Sequence, residues 1–265
     1  MNWFKNYCDL RPPEVSRVPS PWSVHVHYSM MPMMPWMRSI WNELTHLFFP
    51  RHCLLCGRSL AQGEEQICLY CLCELPRTDY HRQADNPLVE ALREAFPFER
   101  GMAFYYFERG GKVRQLVHAI KYKKHKEAGY WIGRHIAREL MIAQSDFARF
   151  DYLVPVPLHR DKQRERGFNQ SEWIARGLQS VWGTPIDTTS LCRLRATESQ
   201  TNKTPLERWL NVCAIFKASA NTPLAGKRVL LVDDVCTTGS TFLACANALN
   251  TLPDTKMSFL ALASI

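Results

Sequence analysis

Apolar residues recur along the chain in two alternating patterns, one at helical spacing and one in short continuous runs. Trp36, Ile40, Leu44 and Leu47 or Phe48 fall at helical spacing before Pro50, which predicts a short amphipathic packing helix. Met102-Ala-Phe-Tyr-Tyr-Phe107 reads as an aromatic-rich strand closed by the turn Arg109-Gly110-Gly111. Val113, Leu116, Val117 and Ile120 then mark one helix, and Trp131, Ile132, Ile136 and Leu140 mark another. Tyr152-Leu-Val-Pro-Val156 predicts a second strand, followed by a polar basic loop and a helix from about Ser171 to Trp182. Val229-Leu-Leu-Val232 is all apolar, as in a strand buried on both faces of a parallel sheet. A helix over Thr241 to Leu252 and a last strand over Met257 to Ala263 complete the series. Strands alternating with helices predict an α/β fold, a mainly parallel twisted sheet flanked by helices.

The organisation follows from where this pattern starts. Residues 1–35 carry Pro12, Pro13, Pro19, Pro21, Pro32 and Pro35 and no apolar period, so they read as a disordered or mis-started tail. Met30, Met31, Met33, Met34 and Met37 are candidate natural starts. Residues 36–76 hold the amphipathic helix and a cysteine module, 77–100 a connector or hood, and 101–265 the α/β domain. The chain lacks the apolar run of a secretory leader and the ~20 apolar residues that cross a bilayer, so a cytoplasmic protein is expected. A formal charge of +8 suits a polyanionic partner, either nucleic acid or a phosphorylated small molecule.

In a reducing compartment clustered cysteines are metal ligands more often than disulfides. Cys53-Leu-Leu-Cys56 and Cys68-Leu-Tyr-Cys71 are two Cys-x-x-Cys knuckles, the spacing that completes a tetrahedron of thiolates around a structural Zn²⁺. Cys73 could replace Cys71, but the knuckle spacing favours Cys71.

The segment Val229 to Thr241, VLLVDDVCTTGST, carries the most chemistry. An apolar strand ends at Asp233 and Asp234, and a loop of Thr237, Thr238, Gly239, Ser240 and Thr241 opens a helix. Ligands of open α/β sheets sit beyond the carboxyl ends of strands, and helix amino-termini bind phosphate through free N–H groups and the dipole. Two carboxylates there suit a ribose diol, with Mg²⁺ compensating charge. The string resembles the phosphoribosyl-pyrophosphate signature of type I phosphoribosyltransferases; Cys236 departs from the usual aliphatic residue. An earlier element is similar to a diphosphate loop: Pro155 and Val156 end the second strand, and Arg160, Lys162, Arg164 and Arg166 follow.

PVPLHR with RGFNQ (Arg166 to Gln170), the cysteine module and TESQTNKTPLERWLNV together resemble the ComF family of competence-associated and GntX-like proteins over about residues 37–265. The resemblance implies a type I phosphoribosyltransferase domain behind a small zinc module. It also implies a role in DNA uptake or recombination beside a DNA helicase. Asp233 and Asp234 would hold the ribose of phosphoribosyl pyrophosphate, and a polar loop with Lys203 and Arg208 would close over the reacting centre. Lys112, Arg114, Lys121, Lys123, Lys124 and Lys126, interleaved with His118, Tyr122 and His125, form either a surface for single-stranded DNA or a solvated basic face. The alternative function is a metabolic transferase moving the 5-phosphoribosyl group to an unknown nitrogenous acceptor. No carboxy-terminal hood is expected to hold that acceptor, which leaves residues before the second strand.

Overall fold

Four parallel strands form the sheet of the computed structural model, which describes residues 51–122, 125–145, 147, 149–194, 215–219 and 221–265. The tail, the helix expected over 36–49, Lys123, Lys124, Lys203 and Arg208 lie outside the described residues. The strands are β1 (Arg100–Tyr106), β2 (Tyr152–Pro155), β5 (Arg228–Cys236) and β6 (Lys256–Ser264), in the order β1-β6-β5-β2. Two three-residue strands, β3 (Leu191–Arg193) and β4 (Phe216–Ala218), pair antiparallel beside the sheet.

Side-chain alternation divides the sheet into two faces. Leu230 and Val232 of β5 and Leu260 and Leu262 of β6 point into one core. That core is covered by α3 (Lys112–Tyr122), α4 (Lys126–Ile142) and α6 (Gln170–Trp182). Val229, Leu231, Met257 and Phe259 point into the other, covered by α2 (Pro87–Arg93) and α7 (Ser240–Leu249). The continuous apolar run of β5 is thus explained by burial on both sides, as its composition predicts.

The periodic segments that fall among the described residues fold as expected, and three places differ. The polar basic stretch after β2 contains a helix, α5 (Arg160–Arg166), started by His159 and stopped by Gly167 at φ 81°. It buries none of its residues, so no apolar period could announce it. The connector contains α2, capped by the buried Asn86, whose Oδ1 accepts from Leu88 N and Val89 N with Pro87 at the first helical position. β5 does not stop at Val232 but continues past both aspartates to Cys236, paired with Ser264 of β6.

The cysteine module joins the main core. Its helix α1 (Leu69–Cys73) and Ile67 and Leu75 share a cluster with Leu116 and Ile120 of α3. Among the described residues no helix is long and apolar enough to cross a membrane.

Candidate functional site

The acid pair stands where the sheet splits. β2 ends at Pro155 opposite Val232, and Val156 N donates to Val232 O at 2.9 Å. Beyond that point β5 pairs, among the described residues, only with β6, through Asp233 opposite Ala261 and Val235 opposite Ala263. The chain leaves β2 toward α6 on one face and leaves β5 toward α7 on the other. Neighbouring strands whose connections depart to opposite faces leave a crevice at their carboxyl ends, the usual ligand position in open α/β sheets.

Asp233 and Asp234 are both buried. Asp233 Oδ1 accepts from Ser171 Oγ at 2.8 Å and from Asp234 N at 2.9 Å. Lys121 Nζ lies 2.8 Å from Asp234 Oδ2, an ion pair in which that oxygen receives no aligned hydrogen bond among the described residues. The pair therefore faces two protein partners, neither of which the motif names. Ser171 sits at the start of α6, where Asn169 caps the helix and also donates to Val156 O at 3.0 Å, so β2, α6 and Asp233 are fixed together. Burial and the neighbouring Asp234 charge push the Asp233 carboxyl up to about 7, against the bonds from Ser171 and the Asp234 N–H and the charge of Lys121.

The loop after the pair opens α7. Gly239 takes the left-handed φ of 72° before Ser240, which only glycine adopts at little cost. Thr237 and Thr238 are exposed, Ser240 and Thr241 half-buried, and Thr238 Oγ1 donates to Ser240 Oγ at 3.1 Å. Hydroxyls and a helix amino-terminus thus meet within one turn, the equipment of a phosphate cradle. Leu92 of α2 leans on this loop, and a Cβ placed on Gly239 would stand 2.4 Å from Leu92 Cδ2. Arg164 is exposed; Arg166 is half-buried, donates to Gln170 Oε1 at 2.9 Å and lies 5.2 Å over the Tyr122 ring. Both arginines line a groove of about 470 Å³ with Phe168 and Trp173.

Among the described residues of the expected basic face, three cations on α3 and α4 are engaged within the chain. Lys112 donates to Glu74 and, at 3.3 Å, to Cys71 Sγ. Lys121 is taken by Asp234, and Lys126 lies 4.9 Å over the Trp173 ring.

Cys53, Cys56, Cys68 and Cys71 bring their sulfurs within 4.8 Å of one another. Tetrahedral thiolates at about 2.3 Å from zinc stand about 3.8 Å apart, and Cys56 and Cys68 Sγ are 3.7 Å apart. Leu55 N and Cys68 N donate to Cys53 Sγ, and Cys71 N donates to Cys68 Sγ, each at 3.4 Å. Burial works against a Cys53 thiolate, yet the N–H groups of Cys68, Cys56 and Leu55 bring it down to about 6; burial takes Cys71 up to about 12 despite the Lys112 donor. The four residues can hold a metal ion, and their sulfur-only donor set fits a closed structural site. Cys73 is exposed and outside the group.

No protein-family model matches the chain. It is 28 % identical over 217 residues to the DNA utilization protein YhgH of Escherichia coli K12, covering 77 % of this chain and 92 % of that protein. It is 26 % identical over 209 residues to competence protein F of Haemophilus influenzae, covering 73 % and 88 % respectively. A shorter match, 38 % over 97 residues and 37 % of each chain, is to competence protein ComFC of Bacillus subtilis. A purine phosphoribosyltransferase from Pyrococcus horikoshii superposes with a TM-score of 0.32 at 14 % identity, over 51 % of this chain and 84 % of that one, too loosely to carry an argument. With its cysteine cluster ahead of a parallel α/β sheet, this chain is a homologue of the proteins named for DNA utilization and competence, as its motifs led us to expect.

Proposed function

We propose that the chain binds phosphoribosyl pyrophosphate, or a related ribose 5-phosphate group, at the acid pair and serves in DNA uptake or recombination. The observation that carries this is the crevice between β2 and β5, which puts two buried carboxylates one turn from a helix amino-terminus rich in hydroxyls. Asp233 and Asp234 accept the ribose hydroxyls, and the 237–241 loop takes the 5′-phosphate. The backbone at Pro155 and Val156, with Arg164 and Arg166, takes the diphosphate. Lys203 and Arg208, outside the described residues, are assigned by this reading as the cations that serve the reacting centre. Mg²⁺ carried with the diphosphate would offset the charge of two carboxylates beside an anion. The names of the homologues support the DNA role. Zinc is our assignment for the cysteine group, where it would tie residues 53–71 into one closed site.

Calorimetry with phosphoribosyl pyrophosphate and Mg²⁺ tests the pocket. Saturable binding by the native chain, weakened by about tenfold or more (at least ~1.4 kcal/mol) in the protein carrying Asp233→Asn with Asp234→Asn, is expected. Equal binding by both proteins discards the ribose assignment.

A second reading, transfer of the phosphoribosyl group to a nitrogenous acceptor, is favoured by α2. Its Leu92 lies against the loop, so residues 77–100 would form the hood that covers an acceptor. Release of diphosphate that depends on an added nucleobase would select this reading.

A further inference from the structure

Asp234 is already occupied by a cation that the phosphate motif does not contain. Lys121 comes from the last turn of α3, on the far side of the sheet core from the 237–241 loop. Its side chain is 21 % exposed and that of Asp234 only 7 %. An ammonium this far out of water is stable while an anion faces it and is strongly disfavoured when the anion is taken away.

A diol that donates to Asp234 Oδ2 competes with the ammonium for that oxygen and weakens the pair. A ligand with only hydroxyls beside the diol gives the ammonium nothing in return. A ligand carrying an anion on the adjacent sugar carbon supplies a new partner, and the four-carbon stem of lysine lets the ammonium swing to it without moving the helix. The carbonyl end of α3 favours a cation at that position in either arrangement. Arg166, at the end of α5, reaches the residue next to Lys121 by lying 5.2 Å over the Tyr122 ring, so the basic ends of two helices meet here.

We propose that Lys121 makes the site select ligands with an anionic group beside the diol, a sugar 1-diphosphate over the same sugar phosphate with a free 1-hydroxyl, because Asp234 releases the ammonium only when that anion takes it over. This rests on the ribose reading of the acid pair. Lys121 is thereby a specificity-determining residue and not part of a basic DNA-binding face.

The test is calorimetric binding of phosphoribosyl pyrophosphate and of ribose 5-phosphate, each with Mg²⁺, to the native chain, Lys121→Met and Lys121→Arg. Native protein is expected to prefer the diphosphate. In Lys121→Met that preference narrows about tenfold or more, through loss of diphosphate affinity while ribose 5-phosphate binds as well or better. Lys121→Arg keeps most of the preference. Thermal melts check that the variants fold, and Lys121→Gln, polar and of similar length, carries the same test if the methionine variant does not. An unchanged preference overturns the proposal, and so does an equal weakening of both ligands, which would mean a structural role. Native protein that binds both ligands equally overturns the role of Lys121 but leaves the pocket standing. Native protein that binds neither overturns the pocket and this assignment together.

Discussion

Asp233 concentrates the conflict between fold and site in one carboxyl group. It is buried beside a second carboxylate, and its Oδ1 accepts from Ser171 Oγ and the Asp234 N–H. Its ionisation lies near 7, well above an ordinary aspartate. A carboxyl whose folded pKa is raised stabilises the fold while protonated, and that contribution is fully present below the unfolded value near 4. It is lost as pH rises through about 7. A shift of about three units sets an upper bound of roughly 4 kcal/mol on the loss, less any relaxation around the charge. Asn in this place keeps an oxygen to accept both bonds and carries no charge. Asp233→Asn is therefore expected to melt several degrees above the native chain at pH 8 and to converge with it near pH 4–5. Thermal unfolding across pH 4–8 checks this, and parallel melting curves would show that the burial of Asp233 carries no charge penalty.

At the scale of elements, α4 and α6 approach each other closely where glycine replaces side chains. A Cβ on Gly177 would stand 2.1 Å from Tyr130 O and 2.6 Å from Arg134 N, and one on Gly133 would stand 2.1 Å from Ile174 O. These neighbours are backbone and cannot rotate away, so the helices would have to separate. Gly177→Ala is expected to lower stability by about 2–3 kcal/mol in urea titration, despite the better helix propensity of alanine. A loss under about 0.5 kcal/mol would show that the two helices slide freely. Gly129 and Gly133 stand four residues apart on one face of α4, a spacing that allows close approach, but nothing in the sequence names the Gly177 region of α6 as the partner. The helices themselves could be read, since each repeats an apolar residue on its buried face: Ile132, Ile136 and Leu140 on α4, and Ile174 and Leu178 on α6. Elements that bury little or are very short escaped. α5 has no buried residue, and β3 and β4 have three residues each, too few for a period. The site divides in the same way. Asp233, Asp234 and the loop are contiguous and stood out as a motif. Ser171 is 62 residues from Asp233, and Lys121 sits on another helix, so only the fold brings them in. Asn86-Pro87 is a readable helix start, but the seven residues it opens are too few to repeat an apolar face.

At the scale of the whole molecule, the question is whether the cysteine group is an appendage or part of the main fold. Cys53, Cys68 and Cys71 are buried in the same cluster as Leu116, Ile120 and Ile132, and Glu65 and Glu74 are tied to Arg134 and Lys112 of α4 and α3. An appendage would melt alone and leave the α/β sheet unaffected. A shared core transmits its loss, because side chains that pack on both the knuckles and α3 lose their partners together. Metal binding that exists only in the folded chain adds its free energy to the stability of the whole. Protein purified without chelator is accordingly expected to hold about one zinc per chain, by the four-thiolate set. Stripping the metal should lower one cooperative melting transition by on the order of 10 °C, and re-addition of zinc should restore it. Cys53→Ser with Cys56→Ser should reproduce the lowered transition and no longer respond to zinc. Two separate transitions, with the upper one indifferent to metal, would mean that the shared core is too weak to couple the knuckles to the sheet. Elemental analysis and calorimetric melting decide between these outcomes on the same samples. Because α3 also carries Lys121, a coupled fold makes metal loss reach the acid pair as well, through the helix that begins beside Cys71 and ends beside Asp234.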